Sequence, residues 1–78
     1  MKNDNNTIGD KISKKIKLER NKRNLSQLEL ATLAGVDKNT IWKIETGQVS
    51  TTVNTLEKIA KAFEMEFTSL VDISKVEL

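Results

Sequence analysis

The 78-residue chain has no cysteine, no histidine and no proline, and only three glycines. Without cysteine or histidine there is no disulfide, no zinc finger and no imidazole for acid–base catalysis. The scarcity of proline and glycine argues against a loop-rich β fold and favours compact helices. No apolar run is long enough to span a membrane and no cleavable leader precedes one, so a cytoplasmic protein is expected. Nothing in the composition points to a metal, a cofactor or a small-molecule ligand. A chain of this length has room for a single core.

The net charge of +2 is unevenly spread: residues 1–25 carry eight basic and three acidic groups, residues 26–48 two and three, and residues 49–78 three and five. The basic end suits a phosphate backbone and the acidic end suits turning away from one. A solvated, lysine-rich helix face gives the same count.

The most informative stretch is Ser26–Gly47, which reads as two short helices joined by a tight turn. Leu30, Ala31 and Ala34 form one apolar face, and Ile41 and Ile44 form another. Ser26-Gln27-Leu28-Glu29 fits a capping box, in which the Ser hydroxyl serves the Glu amide and the Glu reaches back. Between the helices, Gly35 can take the positive φ that ends a helix, Val36 offers an apolar plug, and Asp37 is placed to cap the second helix. Ala31 supplies the small side chain that two steeply crossing helices require. This is the sequence form of a helix-turn-helix.

Around it, residues 1–6 are polar and aperiodic and read as a frayed tail. Thr7 and Asp10 look like a capping pair for a first helix that carries Ile8, Ile12 and Ile16 as its core stripe through about Lys22. Leu18 falls off that stripe, and Leu25 follows as an apolar latch. Residues 48–51 form a loop. Thr52 can cap a fourth helix with Val53, Leu56, Ile59, Ala60 and Phe63 on one side, and a short fifth helix near Phe67–Val71 closes the core with Phe67 and Leu70. The expected fold is all-α: one compact five-helix domain over residues 7–71, followed by a C-terminal tail, 72–78.

In this arrangement the chain resembles the phage repressor and Cro type of helix-turn-helix regulators, the Xre family. The resemblance runs from about Thr7 to Val71. It rests on Ile8-Gly9, on Arg20 before Leu25-Ser26-Gln27, on Ala31 and Gly35 in the turn, and on Thr40-Ile41 with Ile44-Glu45-x-Gly47. Thr55-Leu56-x-Lys58-Ile59-Ala60-Lys61-Ala62 completes it. The resemblance implies the fold of the lambda repressor's DNA-binding domain, with the Asp37–Thr46 helix in the major groove and the Gln27 helix across the backbone.

Carried over position by position, Lys38, Asn39 and Lys43 would reach base edges. The residue pattern independently leaves Lys38, Asn39, Trp42, Lys43 and Thr46 outward once Ile41 and Ile44 point inward. Lysine can donate to guanine O6 or N7, and asparagine can pair with adenine N6 and N7. Gln27 and the free N–H groups of its helix suit a phosphate, and Thr40 suits a phosphate or a thymine methyl. Trp42 is counted with Lys38, Asn39 and Lys43 as a base contact, on sugar edges or thymine methyls; packing against a second protein, or half-burial against a neighbouring helix, are the alternatives. In the family the residues equivalent to Arg20 and Glu45 form a salt bridge between the first helix and the end of the recognition helix, which makes this a structural pair.

Three departures stand out. The loop after Gly47 lacks the Lys or Arg usual there, leaving backbone amides and the hydroxyls of Ser50 and Thr51 for phosphate. Glu64 stands where glycine commonly ends the fourth helix, and Glu66 replaces a Ser or Thr cap.

The function expected is sequence-specific binding of double-stranded DNA by a transcriptional regulator. One short helix reads few base pairs, so a homodimer on a near-palindromic operator is expected, with half-sites about 34 Å apart or a multiple of that. Phe67, Leu70, Val71, Ile73 and Val76 exceed what a small core needs and are the expected dimer contact. The competing reading is a protein-interaction module, such as the toxin-binding part of an antitoxin. Glu57, Glu64 and Glu66 are the available carboxylates, but they lie on a solvent face and at a helix end, so an enzyme is not expected.

Overall fold

The computed structural model describes residues 8–48 and 51–74. Five helices follow one another: α1 (Ile8–Lys22), α2 (Gln27–Ala34), α3 (Lys38–Glu45), α4 (Val53–Ala62) and α5 (Phe67–Leu70). There is no strand among the described residues. The all-α, five-helix architecture expected from the sequence is therefore the observed one. Helix α2 packs on both α3 and α4, α1 packs on α3 and α5, and α4 packs on α5.

Every helix gives at least one side chain to a single apolar core. Ile16, Leu30, Ile41, Ile59 and Leu70 are its largest fully buried members, each from a different helix. Complete burial of such a side chain contributes about 1.5–3 kcal/mol, so the core, not helix propensity, holds these short elements. Ala31, Ala34 and Ala60 fill the close approaches, while Leu25, Val36 and Phe67 pack against the core from its edge. Among the described residues, every residue that is buried as a whole is apolar.

The first four helices all end in the same way. After each, one residue turns left-handed and the next two amides bond back to the last turn: Asn24 N to Asn21 O with Leu25 N to Arg20 O, and Gly35 N to Thr32 O with Val36 N to Ala31 O. Gly47 N to Ile44 O with Gln48 N to Lys43 O, and Glu64 N to Lys61 O with Met65 N to Ala60 O, repeat the pattern. These are Schellman closures, and the residue after the left-handed one is apolar in three of the four (Leu25, Val36 and Met65). Gly35 and Gly47 adopt the left-handed region freely, at φ +74° and +73°, but Asn24 and Glu64 hold it at +57° with a Cβ in place. The left-handed region costs an ordinary L-residue about 1–2 kcal/mol. Replacing the exposed Glu64 by Gly should therefore stabilise the domain by about 1 kcal/mol, raising Tm by about 4–8 °C. A thermal melt followed by circular dichroism checks this, and an unchanged or lower Tm would mean that the Glu64 side chain stabilises the turn more than its φ costs.

At the helix starts, the capping box forms as expected: Glu29 N donates to Ser26 Oγ at 3.0 Å and Ser26 N donates to Glu29 Oε1 at 2.7 Å. Thr52 caps α4 through Thr55 N at 3.1 Å. Asp37 occupies the N-cap position of α3 without a side-chain cap bond, and so does Glu66 for α5. Both positions are exposed. The Thr7 cap lies outside the described residues.

Three expectations about burial need correction. Ile8 is 67% exposed and Val53 61% exposed, although both lie on the apolar stripes of their helices. Each is the first residue of its helix, where the stripe runs past the edge of the packed layer. Leu70 was expected both to close the core and to meet a second chain; it is fully buried, so the core role stands and the contact role has no exposed surface to rest on. Helix α5 packs on α4 and α1, and Leu70 is its fully enclosed side chain. Phe67 and Val71 pack beside it while staying partly exposed, Ile73 is half-buried, and Val76 lies outside the described residues.

Candidate nucleic-acid interface

Helix α2 packs on α3, and in this unit Ala31 and Ala34 are small buried members of the core while Val36 of the turn packs against it. Burial of Ile41 and Ile44 fixes the rotation of α3. Its opposite face then carries Lys38, Asn39, Trp42, Lys43 and Thr46, all exposed. At 100° per residue, Asn39 and Thr46 run along the middle of this face, with Lys43 to one side and Trp42 to the other. Thr46 Oγ donates to the carbonyls of Trp42 and Lys43 at 2.9 and 3.2 Å, so its only hydroxyl proton is spent on α3 itself. Thr46 can therefore accept a hydrogen bond from a ligand but not donate one. Thr40, at the flank of this face, is half-buried.

The last residue of α3 faces inward. Glu45 accepts from Arg20 Nε at 2.7 Å and from a second guanidinium nitrogen of Arg20 at 2.9 Å, a bidentate pair of the strongest geometry. Its side chain is 2% exposed and that of Arg20 is 11% exposed. The third guanidinium nitrogen of Arg20 donates to Leu25 O at 2.7 Å, and Gln27 Nε2 donates to Glu45 Oε1 at 3.2 Å. One carboxylate thus ties the end of α1, the start of α2 and the end of α3. The hydrogen bonds to Glu45 push the Arg20 pKa above its ordinary value against the cost of burial, and the Glu45 charge adds to them.

The expected Arg20–Glu45 pair is therefore present, but the bonds to Leu25 O and from Gln27 are additions. Gln27 was expected to offer its amide to a phosphate, and part of that amide is already engaged. Its side chain is only half-buried, and the free N–H groups of the first turn of α2 remain beside it.

Arg23 forms a second tie that the sequence does not single out. It donates to Glu19 Oε1 at 2.6 Å and to Phe63 O at 3.1 Å, with its guanidinium carbon 4.6 Å from the centre of the Phe63 ring. A cation at the C-terminal carbonyl of α4 also complements that helix's dipole. Burial disfavours the charged form of Glu19. The Arg23 hydrogen bond and the charges of Lys22 and Arg23 outweigh it and hold the carboxyl below its ordinary range. The Glu19–Arg23 spacing of i, i+4 was visible in the sequence, but the partner forty residues away was not.

The loop after α3 departs from expectation. Thr51 Oγ is buried and has no hydrogen-bond partner among the described residues, so it does not present its hydroxyl at the surface. In an extended segment successive side chains alternate, and with Thr52 turned out to cap α4, Thr51 turns in. Ser50 lies outside the described residues. No cluster of potential metal ligands is present among the described residues, and none of their helices is long and apolar enough to cross a membrane.

The helix-turn-helix family model HTH_3 matches residues 16–70. Among solved structures, an HTH_3 family transcriptional regulator from Vibrio cholerae superposes with a TM-score of 0.77 at 36% identity, covering 81% of this chain and 35% of that one. This chain thus spans about a third of that relative's length. The restriction-modification controller protein C.AhdI from Aeromonas hydrophila gives a TM-score of 0.74 at 30% identity, over 77% of this chain and 91% of that chain. A hypothetical transcription factor, NHTF, from Neisseria shares the fold, with a TM-score of 0.80 at 23% identity over 88% of this chain and 79% of that one. No curated protein matches the chain.

Proposed function

The chain belongs to the HTH_3 helix-turn-helix family, and from that premise we propose that it is a sequence-specific regulator of transcription that binds double-stranded DNA. In this reading α3 enters the major groove and Lys38, Asn39 and Lys43 contact base edges. The N-terminus of α2, with Gln27, sits against a phosphate, and Thr40 approaches the backbone from the flank. The unit that binds is residues 7–71.

The observation that carries the reading is the composition of the exposed face of α3. It holds two lysines and an asparagine and no carboxylate, because the one acidic residue of the helix is drawn inward to Arg20. Such a face suits a polyanion whose groove floor presents acceptors at guanine and a donor–acceptor pair at adenine.

An eight-residue helix contacts few base pairs. A homodimer on a near-palindromic operator, with half-sites about 34 Å apart or a multiple of that, supplies the missing specificity. Phe67, Val71 and Ile73 keep partial exposure and are the described residues proposed to meet across the dimer.

Selection from random duplex DNA, followed by titration of the winning site, tests this. A palindromic consensus is expected, with affinity that falls steeply as salt rises. Replacing Lys38 or Lys43 by Ala should weaken binding by about 1–3 kcal/mol each, while stability stays within about 0.5 kcal/mol of the parent's because both are exposed. Unchanged affinity in the double variant would overturn the DNA reading and favour a protein partner.

A further inference from the structure

We infer that Trp42 makes the protein a sensor of one thymine methyl group in each half-site, so that a C5-methyl, and not hydrogen bonds alone, defines the operator. This inference rests on the DNA-binding reading above and specifies its chemistry.

Trp42 is the only tryptophan and the only large apolar side chain on the outward face of α3. It is 41% exposed, and Lys38 and Lys43 are exposed on the same face within about one turn of it. An apolar surface of that size gains free energy only when another apolar group covers it. Its neighbours bias the choice of cover. The two lysines favour a polyanion, and no carboxylate on that face favours a basic protein surface instead.

Within the major groove the base edges present acceptors and donors at every position, with a single apolar exception, the C5-methyl of thymine. An indole held over the groove floor therefore finds one complementary group there. The helix that carries it is fixed in rotation, because Ile41 and Ile44 on either side of it in sequence are buried. A side chain on a fixed helix discriminates position along the groove better than one on a loop.

The methyl alone can be removed from the DNA by replacing thymine with uracil, which leaves every hydrogen-bonding group in place. On the selected duplex, thymines are to be replaced one at a time, and the affinity of the full chain measured by fluorescence anisotropy. At one thymine per half-site, uracil should weaken binding about four-fold, the factor that corresponds to about 0.8 kcal/mol for one buried CH2-sized group. The Trp42→Ala variant should lose at least that factor on the thymine duplex and show no further loss on the uracil duplex, which makes the two changes non-additive.

Equal affinity of the parent protein for every uracil duplex would overturn the inference while leaving the DNA reading intact. So would a uracil penalty that persists undiminished in Trp42→Ala, since another side chain would then read the methyl. Failure to select any duplex would instead overturn the DNA reading itself, and Trp42 would then be the place to look for a protein partner. The uracil series on the parent protein needs no variant, so a folding defect in Trp42→Ala would not spoil it.

Discussion

Replacing Glu45 by Ala should cost about 3–5 kcal/mol of stability, a large share of the roughly 5–15 kcal/mol that holds a domain of this kind folded. The side chain is 2% exposed and accepts three hydrogen bonds from two residues. Removing it does not simply delete an attraction. It strands the Arg20 guanidinium, 11% exposed, with only Leu25 O as a partner. A buried carboxylate or lysine in that position can shed its charge, but Arg20 cannot. Urea denaturation followed by circular dichroism measures the loss. A drop under about 1 kcal/mol would place the pair with ordinary surface salt bridges, and Glu45 would not be the tie between α1, α2 and α3. Replacing both partners by apolar residues of similar volume should recover most of the stability, because no charge is then left unpaired. That contrast separates the penalty of stranding from the net worth of the pair.

What could be read from the sequence was mostly what is local in the chain. The Ser26 box, the left-handed Gly35 and the alternate faces of α2 and α3 each depend on residues within one or two turns, and each stands in the structure as expected. The pattern at Ile41 and Ile44 also fixed by elimination which side chains α3 turns outward. Periodicity failed at the ends of helices. It assigns a face to Ile8 and Val53 but does not say whether a neighbouring helix extends far enough to cover it. Polar side chains with several partners were the other blind spot. The Arg20–Glu45 pair was expected through resemblance, yet the Gln27 bond to Glu45 and the Arg23 bonds at Phe63 join positions 18 and 40 residues apart. No spacing rule reaches that far. Asp37 shows the converse, since a residue of the right type at the right position leaves its capping bond unmade.

The apolar residues near the C-terminus were given two roles, closing the core and meeting a second chain, and Leu70→Ala tests which of them Leu70 fills. The sequence offers Phe67, Leu70 and Val71 as more than a small core requires, but α5 is a single turn and cannot persist by itself. It is held by what it buries. Leu70 is fully enclosed, Phe67 packs at its side, and Lys15 Nζ donates to Asp72 O at 3.2 Å just beyond the turn. Truncating Leu70 should cost about 2–5 kcal/mol and release α5 from α1 and α4. Because the loss arises inside one chain, it should be the same at two protein concentrations tenfold apart. A dimer contact would behave differently. Its removal would weaken association, and the change in Tm would grow with concentration. Thermal melts of the parent and the variant at both concentrations decide between these. A concentration-dependent difference, or a loss below about 1 kcal/mol, would return Leu70 to the interface. A concentration-independent loss leaves any dimer to be built from the surfaces that α5 does expose, at Phe67, Val71 and Ile73, with the fully buried leucine as the post that keeps them in place.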